Sequence, residues 1–113
     1  MQLYKLMKKL VLLLALLNSF TLFANEKAFD WSGLEKEIIS LGAPLLIIKG
    51  SSGFIGCGYI DVNACVDEVC ATVSEVNTHD EMLTAIITNV SKDAAKLGIS
   101  IGMSGAEAVE LLR

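Results

Sequence analysis

The chain has 113 residues, 9 basic and 13 acidic side chains, a net charge of −4, 53% hydrophobic residues, three Cys, nine Gly and one Pro. That length holds a single domain and excludes a multidomain enzyme. The composition excludes a disordered tail, a collagen-like chain and a disulfide-dense mini-protein.

Residues 1–24 read as a secretory signal peptide. Lys5, Lys8 and Lys9 form a basic start without an acid, and Leu10 to Ala24 is a fifteen-residue apolar run broken by Asn18, Ser19 and Thr21. This pattern marks a leader that is removed. A membrane span needs roughly 20 apolar residues, so a retained anchor is the weaker alternative. Ala24 suits the cleavage position, although Leu22 two residues earlier is bulky, and no Cys follows closely enough for a lipid anchor. The expected location is periplasmic or secreted, with no stable membrane insertion after processing. Removing residues 1–24 leaves 89 residues with a net charge of −7. Such a balance excludes nucleic acid, whose binding rests on neutralising phosphates with Lys and Arg. A domain of this size buries only about 60–65% of its unfolded surface, and association would widen that margin.

Residues 25–30 read as a polar tether before a domain at 31–113. Trp31, Leu34, Ile38 and Leu41 have helical spacing and Ser32-x-x-Glu35 suits a cap, but Gly33 and Gly42-Ala43-Pro44 oppose a helix. The residues alone leave 31–41 between helix and strand. Leu45 to Ile48 and Phe54 to Ile60 are strand-length apolar runs joined by a Gly/Ser turn, which predicts a β-hairpin. The first run is apolar on both faces, so both need cover. Asp61 caps a predicted short helix through Cys65 and Val66, and Val69 to Val73 is a predicted strand. Thr78-x-x-Glu81 opens a helix carrying Met82, Leu83, Ile86 and Ile87. Ser91 opens another that Gly98 closes, and Ser104-x-x-Glu107 opens a last one with Ala108, Leu111 and Leu112 inward. The fold class is α+β: an N-terminal β-hairpin or small antiparallel sheet with three to four short helices packed on it.

The runs Ala43 to Gly50 and Gly53-Phe54-Ile55-x-Cys57-Gly58-Tyr59-Ile60-Asp61 resemble the YunC-like family of uncharacterised bacterial and archaeal proteins. So do Thr78-x-Asp80-x-x-Leu83, Val90-Ser91-x-x-Ala94 and Leu97-Gly98-Ile99-x-x-Gly102-Met103-x-Gly105-x-x-Ala108. The resemblance implies a small α+β domain whose N-terminal β-region, residues 31–60, builds a tetramer, in a family without an established activity. It also implies a strand over Leu34 to Leu41. Glu75 departs from the family pattern, which usually has Gly before the Val that precedes the Thr-capped helix. The leader departs from it too, because such proteins are cytoplasmic.

Cys57, between Gly56 and Gly58 and four residues before Asp61, is the weak catalytic candidate. A helix N-terminus nearby would make its thiolate more available. No base lies near it in sequence, and a free Cys is usually a small buried hydrophobe. Cys65 and Cys70 suit a disulfide in an oxidising compartment, and Cys57 with Cys70 is the alternative. The spacings of Cys57, Cys65, Cys70 and His79 match no structural zinc pattern. The glycines at 50, 53, 56 and 58 do not precede a helix, so they are no phosphate cradle. Asp67-Glu68 and Asp80-Glu81 read as solvated helix-end charges. No metal, cofactor or catalytic set is expected. The expected function is a non-catalytic homo-oligomeric binding or structural module whose partner is itself, with Leu45, Leu46, Ile47, Ile48, Phe54 and Ile55 at the interface. A thiol-dependent enzyme or redox protein using Cys57 is the first alternative, and a membrane-tethered accessory subunit with an uncleaved leader is the second.

Overall fold

The computed structural model describes residues 28–113. The leader reading at 1–24 and the first tether residues lie outside the described residues. Beyond the tether, Gly33 takes a left-handed turn (φ 77°) and the chain enters strand β1, Glu35–Ile39. The segment that local spacing left undecided is therefore extended. A glycine with positive φ at its start breaks helical propagation, and pairing with the next strand supplies the hydrogen bonds.

Strands β2 (Leu45–Lys49) and β3 (Phe54–Gly56) form the predicted hairpin, with Ile48 opposite Ile55, and the Gly50 N–H closes the turn on the Gly53 carbonyl. β3 is shorter than the apolar run suggests. Ile60 folds back to donate to the Cys57 carbonyl, and its side chain occupies the space that a Cβ on Gly56 would need. A 3-10 turn, Val62–Ala64, follows, with Asp61 accepting from the Asn63 N–H. It is one turn and stops short of Cys65 and Val66.

Strands β4 (Cys70–Thr72) and β5 (Asn89–Val90) complete a five-stranded sheet in the order β1-β2-β3-β4-β5. The fold is α+β, and the sheet is mixed, because β3 and β4 are parallel and every other pair is antiparallel. A parallel neighbour requires a crossover of about a dozen residues or more, and residues 57–69 supply it. Ser91 pins that crossover. Its Oγ accepts the N–H groups of Cys70 and Ala94, both at 3.1 Å, and donates to the Glu68 carbonyl at 2.7 Å. One buried hydroxyl thus starts a strand, caps a helix and holds the loop between them.

Three α-helices follow the pattern of their caps: α1, His79–Thr84; α2, Lys92–Leu97; and α3, Gly105–Leu112. Thr78, Ser91 and Ser104 each accept a backbone N–H of the first turn, and Gly98 closes α2 at φ 104°. Contrary to expectation, Ile86 and Ile87 are not helical. Past Thr84 the backbone is captured by the approach to α3. Gly105 donates to the Ala85 carbonyl, Ile87 to Met103 and Gly102 to Ile87, while Ile86 bridges Ser104. In this extended stretch Ile87 points into the core at 0% exposure and Ile86 lies outside at 60%. On α3 it is Val109, with Ala108 and Leu112, that is fully buried, and Leu111 is partly exposed.

Helices α1 and α3 pack on each other and over β2 and β3, burying Leu46, Ile48 and Ile55 with Met82, Val109 and Leu112. Each such side chain contributes about 2 kcal/mol of transfer free energy. The packing is close enough that a Cβ on Gly105 would collide with the Met82 carbonyl, and one on Gly50 with that of Leu112. Removing the Ser91 hydroxyl takes away a helix cap and leaves the buried Cys70 N–H without an acceptor. We expect Ser91→Ala to destabilise the fold by about 3 kcal/mol, measured by urea denaturation.

Candidate functional site

The parallel pair decides where a site forms. Chain leaving β3 and chain leaving β4 emerge at the same end of the sheet, and the antiparallel β2 begins there. The Cys57 N–H accordingly bonds the Leu46 carbonyl, and the Val73 N–H bonds that of Gly56. At this end a cleft of about 370 Å³ is lined by Ala43 and Pro44 before β2, Cys57 to Tyr59 after β3, and Glu75 to Asn77 after β4. Gly58 is exposed there, and a Cβ on it would meet nothing within 4 Å. A second cleft of about 440 Å³ shares Glu75 and Val76 and adds Glu81, Thr84 and Thr88.

Cys57 lines the first cleft, but it is only 3% exposed. Its Sγ accepts the Leu46 N–H at 3.4 Å and donates to the Pro44 carbonyl at 3.8 Å. The thiol therefore holds the entry of β2 to the exit of β3. No helix of useful length starts beside it, because the turn after Asp61 spans three residues. Cys65 and Cys70 are joined in a disulfide, with sulfurs 2.12 Å apart, which ties the end of the crossover loop to the start of β4. His79 starts α1 and its Nε2 donates to the Glu37 carbonyl at 2.8 Å, while its ring meets Trp31 edge-on at 6.5 Å. Lys36 Nζ lies over the same indole at 4.4 Å. His79 thus fastens the β1–β2 hairpin to the helical layer. Among the described residues no group of three or more His, Cys, Asp or Glu is arranged to hold a metal ion.

The six expected interface residues divide by strand alternation. Leu46, Ile48 and Ile55 are fully buried beneath their own chain's helices, so they are core positions and cannot touch another copy. Leu45, Ile47 and Phe54 face the other way and are half-buried. All five residues of β1 are exposed, with Ile38 and Ile39 each at 56%. Sequence reasoning named the β2–β3 hairpin but missed Ile38 and Ile39, the exposed apolar residues of the neighbouring β1.

It also missed the cleft, whose rims are far apart in the chain. One signal was present: Glu75 stands where the resemblance expects glycine, and its backbone is left-handed at φ 59°. That conformation costs an L-residue with a Cβ roughly 1–2 kcal/mol. Glu75 lines both clefts.

A mixed five-stranded sheet under short capped helices, with a cleft at the shared end of its parallel pair, defines a small α+β domain. The chain belongs to the family described as a domain of unknown function (DUF1805), which matches residues 56–112. It is also similar to the crystal structure of a protein of unknown function, TA1206, from Thermoplasma acidophilum. The TM-score is 0.62 at 29% identity, covering 77% of this chain and 100% of that one. No curated protein matches the chain.

Two outcomes follow for the cleft. Glu75→Gly relieves the left-handed strain and should raise stability by about 1 kcal/mol in urea melts, after the extra flexibility of glycine in the unfolded chain is offset. Cys57 should react with an alkylating reagent at least about a hundredfold more slowly in the folded protein than in denaturant, because labelling must wait for local opening.

Proposed function

We propose that the chain is an exported, non-catalytic, homo-oligomeric module of the YunC-like type. In this reading the β1–β2 hairpin joins copies into a tetramer, in the periplasm or outside the cell. The observation that carries it is β1, an edge strand with every residue exposed and with isoleucines on both of its faces. Ile39 continues the half-buried row of Leu45 and Ile47, and Ile38 lies opposite Leu46 at the margin of the core. An open edge bearing apolar side chains is a template for pairing with another chain, and a second copy would cover both faces. The half-buried Leu45, Ile47 and Phe54 then replace the sealed Leu46, Ile48 and Ile55 as the contacts expected of β2 and β3. Thiol chemistry at Cys57 is the less favoured reading, since the sulfur is spent on two backbone partners.

Light scattering on the chain without residues 1–24 should give a tetramer at micromolar concentration, and Ile38→Glu with Ile39→Glu should give a folded monomer. A wild-type monomer under those conditions removes the reading. Mass spectrometry of the secreted product should find Asn25 at the N-terminus, and a retained leader would favour a membrane-tethered subunit.

A further inference from the structure

The cleft at the end of the parallel pair has the size of a small-molecule site, which spans about 300–1,000 Å³. Its apolar lining comes from Ala43, Pro44, Val76 and the half-exposed Tyr59, and its polar lining includes Glu75 and Asn77. Among the described residues that line it, Glu75 carries the charge, and there is no Lys, Arg or His. The adjoining cleft brings a second carboxylate, Glu81, and again no basic side chain. The charged side chains that line the two clefts are therefore all acidic, which favours a cation there. An anion placed there would face Glu75 without a counter-charge. A carboxylate beside an aromatic ring suits a cation with an apolar body. The backbone at Glu75 stays left-handed, and such strain persists where the surroundings over-determine it.

We propose that this cleft binds a small organic cation. Its ammonium group pairs with the Glu75 carboxylate, and its apolar body lies against Tyr59 and Pro44. The inference rests on the lining of this cleft and not on the exposed β1 edge that carries the reading above. Benzylammonium, the neutral isostere benzyl alcohol and the anion benzoate serve as probes. Each is titrated into isotope-labelled protein expressed from its full sequence and followed through backbone amide shifts. Benzylammonium should shift Gly58, Tyr59 and Asn77 saturably with a Kd of about 1 mM or tighter. Benzyl alcohol should bind at least about tenfold more weakly, and benzoate should not bind. Glu75→Gln should weaken benzylammonium by about tenfold and leave benzyl alcohol unchanged. Four results overturn the proposal: benzoate binding as tightly as benzylammonium, unchanged cation affinity in Glu75→Gln, shifts confined to Thr84 and Thr88 in the second cleft, or no saturation by any probe.

Discussion

Phe54 to Gly56 and Cys70 to Thr72 run side by side in the same direction, and the rest of the molecule is arranged around that pairing. A parallel neighbour cannot be reached by a tight turn. The chain must travel back along the sheet, and a long link in so small a domain is loose unless it is held. Ser91 and the Cys65–Cys70 disulfide hold it at its far end, and the folded-back Ile60 holds it at its near end. None of these contacts is decorative. They support the register that β4 takes from β3 and β5, and Ser91 joins β4 to the start of α2.

The same pairing creates the cleft. Strands in a hairpin send their ends to opposite sides, whereas parallel strands release theirs together. Cys57 to Tyr59 and Glu75 to Asn77 meet for that reason, although neither segment carries a recognisable ligand-binding motif. Cys57 belongs to this construction as a brace between strand ends. Its neighbour Gly58 leaves the space, and Glu75 brings the charge.

The molecule is uneven in its burial. Under α1 and α3 the backbones come so close that glycine is required at 50 and 105, and Leu46, Ile48 and Ile55 are dry. One strand further out, every residue of β1 is exposed, and its attachment runs through β2, through His79 at the start of α1 and Trp31, and through the Arg113 side chain, which donates to the Ser32 carbonyl. Strand alternation adds to this unevenness: Leu46, Ile48 and Ile55 face the helices, and Leu45, Ile47 and Phe54 face the other way.

The helix starts at Thr78, Ser91 and Ser104, the stop at Gly98 and the β2–β3 hairpin were legible in the amino-acid order alone. Each rests on hydrogen bonds and side chains a few residues apart, so the local sequence contains the whole interaction. The extended form of β1, the early end of α1 at Thr84, the strand β5 and the direction of β4 were decided elsewhere. For three of them the hydrogen-bond partners come from a distant part of the chain: Met103 and Gly105 for the stretch after α1, Phe54 to Gly56 for β4, and Ala71 and Thr72 for β5. For β1 the partner is the neighbouring β2, and that pairing outweighs a local spacing that also suited a helix. The cleft belongs with this second group. Residue types announced a thiol at 57 and an unexpected acid at 75, but only the parallel sheet, by bringing two strand exits to one end, made them neighbours.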